Sequence, residues 1–110
     1  MAAMQGEAGG IGADGPRRFV FLLLDGFTML SFAGAVEPLR IANRMAERRL
    51  YDWTTIGDGG GPVACSTGTT IAVASGLRDL ARGDILMVCG GTNIQAVSDR
   101  RIVGWLRREA

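Results

Sequence analysis

Arg18-Phe19-Val20-Phe21-Leu22-Leu23-Leu24 is the stretch whose reading decides the fold, bounded by Pro16 on one side and Asp25-Gly26 on the other. A strand with one wet face alternates apolar and polar residues. This run does not alternate, so it fits a strand buried on both faces, as in a parallel sheet covered by helices. It is shorter than a signal-peptide core and far shorter than a membrane span.

Downstream, Asp25-Gly26 is a turn signal. Ser31 is placed to cap a helix in which Phe32, Ala35, Val36, Leu39, Ala42 and Met45 recur at helical spacing, with Glu37, Arg40, Arg44 and Glu47 on the other faces. Pro38 lies beyond the first turn, so a kink or a second helical segment is expected there. Tyr51–Ile56 reads as a strand rich in aromatic and β-branched residues. A Gly-rich loop over 57–62 leads to two short strands, Pro62–Cys65 and Thr70–Ala74, forming a hairpin around Ser66-Thr67-Gly68. Residues 76–82 connect, with room for a helical turn. Asp84–Val88 is a second buried-type strand, ending in Cys89-Gly90-Gly91. Ser98 is expected to cap a last helix over Asp99–Arg108, with Asp99 at its positive end and Arg107-Arg108 at its negative end. Alternating buried strands and amphipathic helices define an α/β class: part of a doubly wound, mostly parallel sheet.

Upstream, residues 1–16 are rich in Gly and Ala, show no period and read as a flexible leader, which leaves 17–110 as one domain. The chain has 110 residues, with 17 Gly, no His and 12 basic residues, all Arg, against 11 acids. The net charge of +1 gives no overall electrostatic footprint for nucleic acid. Without His, the commonest general base and metal ligand are missing. Two Cys make neither a disulfide framework nor a four-thiolate zinc site and suit a reducing, cytoplasmic setting. No metal, cofactor or membrane partner is expected.

Each candidate motif carries two readings. Gly10-Ile11-Gly12-Ala13-Asp14-Gly15 matches a dinucleotide fingerprint in letters but precedes a strand instead of following one, and Gly59–Ala64 is followed by a strand and not a helix, so neither has the required context. Asp25 stands after a central strand, where open α/β sheets bind ligands, or serves only the turn. Gly90-Gly91, with Thr92 after them, could form an anion-binding nest or oxyanion hole, or a tight strand-to-helix turn. Cys89 has a nucleophile's position but no activating neighbour in sequence, so a buried, inert thiol is the simpler reading for it and for Cys65. Glu37 reads as solvated or ion-paired. Trp53 and Trp105 read as packing residues.

The combination is more specific than its parts. A buried strand ending in Asp25-Gly26-Phe27-Thr28-Met29-Leu30, the helix Ser31-Phe32-Ala33-Gly34-Ala35-Val36-Glu37-Pro38-Leu39-Arg40-Ile41-Ala42-Asn43-Arg44, then Leu50-Tyr51-Asp52-Trp53, the hairpin and Val88-Cys89-Gly90-Gly91 resemble a known domain. It is the N-terminal ThiJ/PfpI domain of GlxA-type transcriptional regulators of the AraC family. The branch most similar senses quaternary amines such as glycine betaine or carnitine.

The resemblance implies a class I glutamine amidotransferase-like, flavodoxin-like sandwich, of which 17–110 supplies a little over half. The superfamily's enzymes use a Cys on an elbow that would lie past Ala110, and a Glu whose position here falls on Ser31. Ser cannot supply the carboxyl group, so the resemblance at Ser31 implies a sensor and speaks against enzyme chemistry. Gly90 and Gly91 match the superfamily's oxyanion-hole turn, and Cys89 replaces a residue that is often Pro. The implied function is effector sensing. The pocket would be lined by Asp25, Gly26, Phe27, Ser31, Cys89, Gly90, Gly91 and Thr92, with Asp25 and the Phe27 ring suited to a quaternary ammonium. DNA binding would come only from a helix-turn-helix part absent from this chain, and the full-length form would be a homodimer. The missing strands would leave an open sheet edge. Two other classes remain open: a truncated ThiJ/PfpI-type hydrolase or amidase, and a small stand-alone dimerising module.

Overall fold

The computed structural model of the chain describes residues 2–5, 15–91 and 100–109. In chain order the elements are strands β1 (Ala2–Gln5) and β2 (Arg17–Leu23), helix α1 (Met29–Ala46), strands β3 (Tyr51–Gly57), β4 (Val63–Ala64), β5 (Thr70–Ile71) and β6 (Ile85–Cys89), and helix α2 (Arg100–Glu109). The main sheet has the order β1-β6-β2-β3. β2 pairs in parallel with β3, Phe19 opposite Trp53, and in parallel with β6, Phe19 opposite Ile85.

The unbroken apolar run is thus the central strand, and its two faces feed two separate cores. Val20, Leu22 and Leu24 pack with Ile56, Leu86, Ile102 and Trp105 on the α2 side. Phe21 and Leu23 pack with Phe27, Val63, Cys65 and Cys89, and with Phe32, Ala35, Val36 and Leu39 of α1, on the other. Helices on both faces of a parallel sheet are the doubly wound architecture. β4 and β5 form the expected hairpin, shorter than the spacing suggests.

Several expectations need correction. Within the segment read as a leader, Ala2–Gln5 is a strand antiparallel to β6, with Ala2 opposite Cys89. It takes up the backbone groups on the edge of β6 that would otherwise be unpaired. Ser31 does not cap α1: the cap is Thr28, without a side-chain hydrogen bond, and Ser31 sits in the first turn with its N–H donated to Thr28 O at 3.1 Å. α1 runs on through Pro38 as one helix. Residues 76–84 form bends and a turn, not a helical turn. Met45, counted by spacing with the core face, is exposed. Ser98 and Asp99 lie outside the described residues.

The helices are moored by polar contacts. At the C-terminal end of α1, Glu47 takes a left-handed conformation and its N–H reaches Arg44 O. Asn43 Oδ1 accepts from the N–H groups of Leu50 and Tyr51 at 2.8 and 2.9 Å, and its Nδ2 donates to Tyr51 O at 2.9 Å. On α2, Trp105 Nε1 donates to Arg78 O at 2.9 Å, and Glu109 Oε1 accepts from the Leu80 N–H at 3.0 Å. Both tryptophans serve packing, as their positions suggest.

Leu22 is fully buried at the centre of the sheet. Leu22→Ala is expected to cost about 2–5 kcal/mol by leaving a cavity. Urea denaturation followed by circular dichroism measures it.

Candidate functional site

β3 and β6 flank β2 on opposite sides, so the chain's path reverses across β2, and the crevice at the carboxyl ends of β2 and β6 is where such sheets bind ligands. The residues there are held by a dense backbone lattice. Leu24 to Phe27 make a turn closed by the Phe27 N–H to Leu24 O at 2.9 Å, and Gly26 takes φ +79°. That positive φ at the third turn position is the type II pattern and requires glycine. The hairpin clamps the turn: Gly26 N–H donates to Ala64 O, and Ser66 N–H to Phe27 O, both at 2.8 Å. From the other side Thr28 N–H donates to Gly90 O at 3.1 Å.

Gly91 completes the junction. A Cβ built on it would lie 2.2 Å from the Gly26 carbonyl oxygen, which is backbone that cannot move aside cheaply. The glycine at 91 is therefore required by close approach of two turns. The structure thus brings Asp25-Gly26-Phe27 and Cys89-Gly90-Gly91 together, although they lie on different strands. Thr92 lies outside the described residues.

The individual side chains separate into two groups. Phe27 is fully buried, with its ring edge-on to Phe32 at 6.1 Å between centroids, so it belongs to the α1-side core and offers no open face to a cation. Cys89 is also fully buried, and burial pushes its pKa up to about 11. Cys65 is buried too, and contact with the Thr67 hydroxyl, at 3.1 Å, lowers its pKa. Ser31 is half-buried in α1. Asp25, by contrast, is exposed and lines a cavity of about 190 Å³ with Leu23, Leu24, Asp58, Pro62, Val63 and Ile102.

Asp58 and Ile102 are cavity residues that sequence reasoning missed. Asp58 was part of a Gly-rich loop with nothing to single it out. Its Oδ2 accepts from Arg101 at 2.6 Å, a partner 43 positions away, and no local pattern signals that pairing. Its Oδ1 is buried with no hydrogen-bond partner among the described residues. Two carboxylates over an apolar floor suit a cationic or hydrogen-donating ligand with an apolar body. No group of residues able to hold a metal ion occurs among the described residues. Glu37 is exposed and paired with Arg40, which lowers its pKa, so it has no part in the cavity.

A doubly wound α/β unit with a cleft at its switch point is a ligand-binding architecture. The chain is homologous over most of its length to helix-turn-helix transcriptional regulators. It is 42% identical over 95 residues to GbdR of Pseudomonas aeruginosa, covering 86% of this chain and 26% of that protein. It is 41% identical over 90 residues to CdhR of the same species, covering 82% and 26%, and 39% identical over 75 residues to GlxA of Rhizobium meliloti, covering 68% and 23%. All three are HTH-type transcriptional regulators. The solved structure of an AraC family transcriptional regulator from Pseudomonas putida superposes with a TM-score of 0.59 at 31% identity, over 69% of this chain and 48% of that one. The chain therefore spans about a quarter of the length of the curated relatives it matches. No family model matches it. Among the described residues no helix is long and apolar enough to cross a membrane.

Two outcomes are expected at this junction. Gly91→Ala should destabilise the domain by about 1–3 kcal/mol, because the added methyl must displace the Gly26 carbonyl; thermal denaturation reads it. Cys89, with its pKa raised in the folded state, stabilises the fold fully below the thiol's ordinary pKa and loses that contribution as pH rises toward 11. Relative to Cys89→Ala, the wild type should lose roughly 1–3 kcal/mol between pH 8 and pH 11, measured by urea titrations across that range.

Proposed function

We propose that this chain is the effector-sensing part of an AraC-family transcriptional regulator and that it has the ThiJ/PfpI type of domain. The observation that carries the reading is the 42% identity to GbdR across 95 residues. In the proposed protein, DNA binding belongs to a helix-turn-helix part outside this chain, and the full-length form is a cytoplasmic homodimer. The chain binds and does not catalyse. Its strand-end thiol, Cys89, is buried with a raised pKa, the opposite of an activated nucleophile, and Ser31 stands where the resembling enzymes carry Glu.

The proposed effector is a small amine or amino-acid-like metabolite, a quaternary amine such as glycine betaine or carnitine. The unpartnered Asp58 Oδ1 and the exposed Asp25 supply negative charge at the cavity. Leu23, Leu24, Val63 and Ile102 supply apolar surface for methyl groups. Charge and apolar contact replace the cation–π contact that a buried Phe27 cannot make. Gly26 spends its N–H on Ala64 O and so fixes the turn that carries Asp25, and the Gly90-Gly91 turn remains the proposed contact for an effector carboxylate.

The test is titration calorimetry of the full-length protein with glycine betaine and carnitine. Asp25→Ala and Asp58→Asn should each weaken binding by roughly tenfold, about 1.4 kcal/mol, with little change in melting temperature. Asparagine at 58 keeps an oxygen for Arg101 while removing the charge. Unchanged affinity in both variants would sink this placement of the effector.

A further inference from the structure

A second cavity, of about 450 Å³, opens between α2, the Asp58-Gly59 loop and the segment around Arg78. It differs from the first in charge. Arg78, Arg101 and Arg108 line it, against two carboxylates, Asp58 and Asp79. Arg101, Trp105 and Arg108 stand at i, i+4 and i+7 on α2, which sets them in a row on one face of the helix. The row is fixed at its middle: Trp105 is buried, and its indole N–H reaches Arg78 O at 2.9 Å, which brings Arg78 to the same cavity. Gly104 leaves space beside the row, and a guanidinium nitrogen of Arg108 lies 3.6 Å from where a Cβ on Gly104 would stand. That guanidinium therefore folds back along the helix toward Arg101.

The guanidiniums are not matched by acids. Among the described residues the ion pairs are Glu37–Arg40 and Asp58–Arg101, so Arg78 and Arg108 line the cavity without a carboxylate partner. Arg101 is held by Asp58 at 2.6 Å, but its side chain is 65% exposed, and an ion pair so open to water is weak. Asp58 belongs to both cavities: it lines this one and the one beside Asp25. An anion entering here competes with Asp58 for Arg101, and Asp58 is then released to a cation in the first cavity. Guanidinium forks bind phosphate and carboxylate through paired N–H donors. With Arg101 turned to the anion, three guanidiniums against Asp79 leave a surplus of two positive charges, which a dianion cancels.

We propose that this cavity is a second binding site, for a small dianion carrying a phosphoryl group or two carboxylates, and that its occupation strengthens binding of the cationic effector by drawing Arg101 off Asp58. The anion site stands on the arginine-lined cavity alone. The coupling rests on the effector reading above, and by linkage each ligand raises the other's affinity by the same factor.

Titration calorimetry of the full-length protein at fixed ionic strength tests both parts, with inorganic phosphate, succinate and acetate as probes. Phosphate or succinate should bind at a site that Arg78→Gln and Arg108→Gln each weaken about tenfold. Arg78 is half-buried, Arg108 is exposed, and Trp105 bonds the backbone of Arg78, so neither change should move the melting temperature. The tighter of the two dianions tells a phosphoryl ligand from a dicarboxylate. Saturating dianion should tighten glycine betaine binding on the order of fivefold, and Asp58→Asn should abolish that gain. A wild type that binds neither dianion overturns the site, as does binding that neither arginine variant changes. Acetate bound as tightly as the dianions overturns the charge assignment. Glycine betaine affinity that the dianion leaves unchanged overturns the coupling. A protein that binds the dianion through Arg78 and Arg108 but binds neither glycine betaine nor carnitine overturns the effector reading and the coupling with it, and leaves the anion site standing.

Discussion

The burial of β2 on both faces is the constraint on which the structure depends. One strand supplies Val20, Leu22 and Leu24 to one core and Phe21 and Leu23 to the other, while its two edges are taken by β3 and β6. Each face must be covered, so α1 and the hairpin close one side and α2 with the 76–80 segment closes the other. Because β2 is central, whatever follows it emerges in the middle of the molecule, between the two strands that flank it. The turn at Asp25-Gly26 is therefore at the cleft by topology, whatever side chains it carries.

That position explains why backbone geometry dominates the site. The two strand-end turns meet so closely that Gly91 has no room for a side chain, and each is tied by hydrogen bonds to its neighbours. Side chains at such a junction divide sharply between core and solvent. Phe27 and Cys89 go inward, and Asp25 goes outward. Chemistry is left to residues just beyond the junction, notably Asp58, whose carboxylate is half-satisfied by Arg101.

Much of this was legible in the residues. The unbroken run over Arg18–Leu24 identified a two-face strand, and the hairpin, β3 and β6 fell where composition put them. Helical periodicity found the inner face of α1 through Phe32, Ala35, Val36 and Leu39. It misplaced Met45, because a helix with apolar residues on two faces offers more than one period to count. The cap at Thr28 was missed in favour of Ser31, since the turn hydrogen bonds that start the helix are backbone bonds and leave little mark on composition. Asp58 and Arg101 were invisible as a pair because their contact is set by the packing of α2 and not by spacing. Ala2–Gln5 gave no strand signal: its pairing is offered by the edge of β6, not by its own propensity.

Asn43 has a consequence beyond fastening a loop. Its amide uses both its oxygen and its nitrogen on the backbone at the start of β3. Three directed bonds from one side chain fix the rotation of α1 about its own axis, whereas apolar packing alone tolerates a helix that rolls. The angular position of Leu30, Ile41 and Met45 is thus locked from the far end of the helix. A helix held in this way cannot roll to bury them, so Leu30, Ile41 and Met45 stay on the outside of the folded subunit.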